Sequence, residues 1–286
     1  MRMATVLLEN KEEAAIVTAQ GLVTVDTINR TTGSLWSTEL HELLMNGEFE
    51  ALRRWTAGEG KQKLDNMEAV PHSEAVYAPL YRHPRKIWGI GMNYVKAAAE
   101  LPQGEPDSDP VGFMKPDTAL IGPGDTIRLP RQSVKPTAEG ELAIVIGKRC
   151  SGITEAQAPQ FVAGLTASLD MTAADIHEQN PRYLTRAKSF DTFFSFGPQL
   201  VTLDEVPDVL GLGVETWQNG SMLHRNTVFH MKYRPWFTVA YLSQGMTLLP
   251  GDVIMTGTPG AAVLRDGDIV ECRIDGFAPL LNPVQA

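Results

Sequence analysis

From residue 120 onward the chain runs in short segments rich in Ile, Val and Leu, cut at intervals by Pro and Gly. Amphipathic helical spacing is absent from this region except around 156–163 and 236–243. Such punctuation predicts a strand-dominated α+β body rather than a parallel βαβ sheet. Leu249-Pro250-Gly251-Asp252 and Arg265-Asp266-Gly267-Asp268 read as tight turns between the last strands. Nearer the start, Val6-Leu7-Leu8, Ala14–Val17 and Leu22–Val25 read as short strands, with a turn at Ala19-Gln20-Gly21. Leu40, Leu43 and Leu44 recur at helical spacing behind Ser37-Thr38, an expected N-cap. A second helix should carry Phe49, Leu52 and Trp55 and stop near Gly58-Glu59-Gly60. No catalytic constellation falls in residues 1–80, which are expected to form a small N-terminal α+β accessory domain. Residues 81–286 are then expected to form a second, larger domain.

Lys86–Gly91 predicts a strand leading into Asn93-Tyr94. Its Gly-x-Gly lacks the third glycine of a dinucleotide-binding fingerprint, because position 94 is Tyr. Residues 96–100 are good local helix formers. The dense turn chemistry of Pro102–Pro110 marks a surface loop of lid length.

Charge changes the picture by exclusion. A net charge of -9 with no basic block argues against a nucleic-acid groove. Cys150 and Cys272 lack zinc spacing and are too few for a disulfide framework, so free buried thiols are expected. The apolar patch at Val6–Leu8 is broken at once by Glu9, Lys11, Glu12 and Glu13, too short for a signal core or a membrane span. The expected location is cytoplasmic. There is no Gly-x-Ser-x-Gly elbow and no His-Glu-x-x-His helix.

The candidate chemistry starts at Glu139-Gly140-Glu141. A strand places residues i and i+2 on one face, so the two carboxylates should point the same way. An isolated Glu-x-Glu is usually a solvated strand face. Here it runs into the apolar segment Leu142–Ile146, where unpaired carboxylates are costly, and a hard cation such as Mg²⁺ or Mn²⁺ resolves the conflict. Asp170 can supply a third oxygen and Lys188 a positive charge. An ion pair of Lys188 with Asp175 or Asp191 is the plainer alternative.

These residues belong to a longer ordered pattern: Gly-Met-Asn-Tyr at 91–94, Phe-Met-Lys-Pro at 113–116, Glu-Gly-Glu-Leu-Ala-Ile-Val-Ile-Gly at 139–147, Leu-Asp-Met-Thr-Ala at 169–173, Ala-Lys-Ser-Phe-Asp-Thr-Phe at 187–193, and Pro-Gly-Asp-Val-Ile-Met-Thr-Gly-Thr-Pro at 250–259. In this order the chain resembles the fumarylacetoacetate hydrolase family over roughly residues 80 to 284. The resemblance implies a strand-rich, roll-like body, usually a homodimer, and one divalent cation, Mg²⁺ or Mn²⁺, on Glu139, Glu141 and Asp170. It implies Lys188 as the active-site lysine and Tyr94 and Thr258 as substrate contacts, although a turn-forming hydroxyl accounts for Thr258 nearly as well. The implied activity is hydrolysis of a C–C bond in a small 2,4-dioxo acid, an acylpyruvate or a diketo-deoxy sugar acid. Decarboxylation or tautomerisation of a 2-oxo acid is the alternative on the same site, and a non-catalytic metal-binding protein a more distant one.

Three positions depart from the family. Many members carry a histidine three residues after the tyrosine, paired with a glutamate; here that position is Ala97, while Glu100 remains. An arginine that would face a substrate carboxylate is replaced by Ala174, and a glutamine by His177. His177 is therefore the expected base, with Glu100 closing over it, and Arg182 or Arg186 the expected replacement cation. His224 and His230 read as structural.

Overall fold

A computed structural model describes residues 1–286 with the exception of 103, 105 and 107. Its centre is a long antiparallel hairpin, Pro136–Ile146 against Val162–Ala173. Every residue of the two strands is buried except Glu139 and Val162, which are half-buried. The run Leu142–Ile146 suits this position, since β-branched side chains pack well on a sheet covered on both faces.

Phe194–Val201 lies along one side of the hairpin and the N-terminal strand Arg2–Leu8 pairs with it, Met3 opposite Leu200. Lys11–Val17 and Leu22–Thr24 continue outward. The N-terminal strands thus extend the sheet that holds the acidic residues. On the other side come Val253–Met255, Ile87–Gly91 and, at the edge, Val111–Lys115. Together with two short strands this makes an eleven-stranded sheet among the described residues. The expected strand-rich α+β architecture is what the chain adopts, and no described helix is long and apolar enough to cross a membrane.

A second, five-stranded sheet contains Gly213–Gln218 and Ile269–Ile274. It presses on the hairpin at Gly140. A Cβ added there would stand 2.7 Å from the Glu215 carbonyl oxygen and 3.1 Å from Thr216 Oγ1, and Thr216 Oγ1 accepts the Gly140 N–H at 3.0 Å. Glycine lets the sheets touch while its two neighbours turn to the opposite face. Gly140→Ala is expected to cost about 1–3 kcal/mol through overpacking, read as a lower urea midpoint in chemical denaturation.

Several local expectations shift by known physics. Leu22–Thr24 stops one residue early because Thr24 caps a helix, Val25–Thr32, its Oγ1 accepting from Thr27 N–H at 3.1 Å. The helix expected after Ser37-Thr38 is Leu40–Met45, but its N-cap is Glu39. The Phe49 helix runs Glu48–Ala57 and ends at Gly58, as read from the sequence. Residues 96–100 yield only a 3₁₀ turn, Ala98–Glu100. Glu155–Phe161 is also 3₁₀, held by a Thr154–Gln157 capping box and carrying Pro159; Pro235–Gly245 is a regular helix. The expected loop at 102–110 includes Gln103, Glu105 and Asp107, which lie outside the described residues.

Candidate metal centre

The hairpin register builds the site. Glu139 stands directly opposite Asp170, Thr137 opposite Thr172 and Glu141 opposite Ser168. Alternation then gathers Thr137, Glu139, Glu141, Asp170 and Thr172 on one face, where all five line a cavity of about 420 Å³. One carboxylate oxygen from each of Glu139, Glu141 and Asp170 lies within 4.8 Å of the others. Glu141 and Asp170 are almost wholly buried, at 2% and 1% exposure.

Two lysines pair with these acids. Lys188 ends the short helix Leu184–Lys188, and its Nζ donates to Asp170 Oδ2 at 2.5 Å and to Glu139 Oε2 at 3.0 Å. Asp175, the alternative partner, instead accepts from Ser133 Oγ and the Val134 N–H. Lys188 Nζ also lies 4.6 Å from the centroid of the Phe113 ring.

The second lysine, Lys115, had no role assigned from the sequence. Its side chain is fully buried with Nζ 2.7 Å from Asp170 Oδ1, and it donates to the carbonyls of Met171, Lys188 and Phe193 at 2.5–2.9 Å. Burial lowers its pKa to about 8, against the opposing pull of Asp170. Phe113 and Lys115 share the buried face of their strand, while Val111, two residues before Phe113, is exposed.

Charge and donor chemistry together test whether a cation fits. When all three carboxylates are ionised they outweigh the two ammonium groups by one negative charge in a buried space. The Glu141 carboxyl is pushed well above the usual range, first by burial and then by Asp170 and Glu139. Its Oε2 accepts the Gly257 N–H at 2.5 Å. No described donor reaches Oε1 of Glu139 or Oε1 of Glu141. Hard oxygen donors with unfilled lone pairs and excess negative charge fit Mg²⁺ or Mn²⁺.

The remaining expected residues scatter. His177, on the short helix Ala174–Gln179, lines the cavity and has no hydrogen-bond partner among the described residues. Thr258 also lines it, but its Oγ1 closes a local turn, donating to the Gly260 carbonyl at 3.0 Å. Tyr94 is outside the lining. Its hydroxyl is buried without a described partner, and burial, then Glu141, raise its pKa well above the usual value. Glu100 is exposed on its 3₁₀ turn, its Oε2 near the Lys96 N–H at 3.4 Å, and it does not reach the cavity. Arg182 and Arg186 are exposed and outside the cavity wall. His224 and His230 contact the Ala261 carbonyl and Asn226 respectively, in keeping with structural roles. Both cysteines are free and buried, and burial pushes the Cys272 thiol up to about 12, away from the thiolate a nucleophile needs.

Residues 86–285 match the family described as fumarylacetoacetate (FAA) hydrolase C-terminal. The chain is 37% identical over 219 residues to a mitochondrial oxaloacetate tautomerase of Xenopus laevis, covering 73% of this chain and 68% of that one. Among solved structures it resembles a fumarylacetoacetate hydrolase from Exiguobacterium antarcticum, with a TM-score of 0.85, 27% identity and coverage of 100% and 99% of the two chains. It also resembles a maleylpyruvate hydrolase from Sphingobium sp. SYK-6 in complex with manganese(II) and pyruvate, at a TM-score of 0.80, 27% identity and coverage of 100% and 99%.

Proposed function

The chain belongs to the fumarylacetoacetate hydrolase family, and from that premise we propose that it is a divalent-cation-dependent hydrolase cleaving a C–C bond in a small 2,4-dioxo acid. The observation that carries this reading is the convergence of Glu139, Glu141 and Asp170 on one cavity wall with Lys188 bonded between two of them. A bound Mg²⁺ or Mn²⁺ would supply Lewis-acid polarisation to the oxygens of the 2-oxo acid head.

The chain's own groups do the rest. Lys188 places an ammonium beside the head and offsets negative charge as the C3–C4 bond breaks. It is held by two carboxylates and a ring face, so it need not reorganise to do so. His177 takes a proton from the water attacking C4; the electron pair of the broken bond goes to C3, and the proton returns there as pyruvate leaves. His177→Ala should lower kcat about 100-fold, with Mn²⁺ affinity preserved. Near-normal kcat would remove His177 from this role.

A second reading, tautomerisation or decarboxylation of a 2-oxo acid, is favoured by one observation. Position 97 is an exposed alanine and Glu100 stands outside the cavity, so the pair that activates water in many relatives is absent. The similarity to an oxaloacetate tautomerase points the same way. Product analysis separates the readings: hydrolysis releases a second carboxylic acid, whereas the alternative yields carbon dioxide or an isomer.

A further inference from the structure

Beside the carboxylates the cavity wall carries an apolar patch of Ile90, Met92, Val111, Phe113, Leu184 and Val263, next to the polar His177, Thr258, Lys135 and Glu178. Met92 is 81% exposed with φ 52°, a left-handed conformation costly for a non-glycine residue, so an apolar chain is held at the mouth at some expense.

The charges near this wall are already engaged. Lys188 and Lys115 are committed to Asp170, and Lys188 to Glu139 as well. Lys135 lines the cavity but pairs with Glu178, itself a lining residue, at 2.6 Å. Arg182 and Arg186 are not part of the wall, and Ala174 occupies it with a methyl group. A second carboxylate on the substrate, seated on the apolar patch, would lose its hydration and find no unpaired Lys or Arg among the described lining residues; the lining polar side chain without a hydrogen-bond partner is His177, which the proposed reaction commits to the attacking water.

We infer that the site selects 2-oxo acids whose distal group is uncharged and apolar, an acyl or alkyl chain, and disfavours dicarboxylates. This rests on the reading that the carboxylate centre with its cation holds the 2-oxo acid head. The specificity resides in Ile90, Met92, Val111, Leu184 and Val263, which contact the distal chain. Ala174 leaves the wall without a counter-charge.

Titration calorimetry of the Mn²⁺-loaded protein with two ligands of equal chain length tests this without any turnover. 2-Oxohexanoate carries a terminal methyl where 2-oxoadipate carries a carboxylate. The expected result is tighter binding of 2-oxohexanoate by about 10-fold or more, the scale set by desolvating an unpaired charge. Ala174→Arg should narrow or invert that ratio by strengthening 2-oxoadipate, while pyruvate affinity stays within about two-fold because the head contacts are untouched. Equal binding of the two ligands, or preference for the diacid in the unaltered protein, overturns the inference while leaving head binding intact. Binding of neither, with Mn²⁺ bound, overturns the head-binding reading and the inference with it.

Discussion

Glu141→Gln is expected to move stability and activity in opposite directions. In the cation-free protein the Glu141 carboxyl is buried and repelled by Asp170 and Glu139, so its folded pKa lies well above the unfolded one. Such a group opposes folding once pH rises above its unfolded pKa, because the unfolded chain then sheds a proton that the folded chain retains. Glutamine removes that conflict at neutral pH and can keep the hydrogen bond from the Gly257 N–H through its amide oxygen. Unlike Asp170, Glu141 makes no lysine contact, so its loss leaves no buried ammonium unpaired. The melting temperature measured with chelator present should therefore rise by a few degrees. Mn²⁺ affinity should fall by at least about 100-fold and metal-supported turnover with it, since even outer-sphere partners of a metal are worth up to that much. A variant that melts lower without metal yet binds Mn²⁺ normally would show that Glu141 is a structural acid.

Lys188→Met separates catalysis from metal binding in the reverse sense. The thioether follows the lysine stem closely and keeps packing on Phe113, while the ammonium bonded to Asp170 and Glu139 disappears. Removing a positive charge from beside three carboxylates should leave Mn²⁺ affinity unchanged or raise it. Yet kcat at saturating metal and substrate should drop about 10²–10³-fold, the usual consequence of deleting a preorganised donor to developing negative charge. If Lys188 only neutralised the acids, saturating Mn²⁺ would take over that task and kcat would recover. Calorimetry and steady-state kinetics on the same preparation distinguish these outcomes.

Much of this site could be read along the chain because it obeys strand periodicity. Glu139 and Glu141 share a face by the two-residue alternation of a strand, and the apolar run after them implies burial. What periodicity cannot convey is register. That Asp170 sits opposite Glu139 depends on how the hairpin closes across residues 147–161, and only the pairing itself places it there. Lys115 escaped notice for a different reason. Lysine is ordinarily a surface residue, and its burial here depends on three carbonyls and Asp170, donated by segments more than fifty residues away. Glu100 and the two arginines show the converse. The resemblance supplies Glu100 and the missing cation suggests Arg182 and Arg186, but Glu100 stands on an exposed 3₁₀ turn and both arginines are exposed, and none of the three lines the cavity. The helix Val25–Thr32 was hidden because Val23 and Val25 extend a strand-like alternation that only the Thr24 cap interrupts.

Crystals grown with Mn²⁺ and measured at the manganese absorption edge test the central claim most directly. One strong anomalous peak should lie within about 2.0–2.6 Å of carboxylate oxygens from Glu139, Glu141 and Asp170 together, as hard-cation coordination requires. Lys188 should be close by and not coordinated. A peak bound to other residues, or none in a crystal where those three acids keep only their lysine and backbone partners, would contradict it.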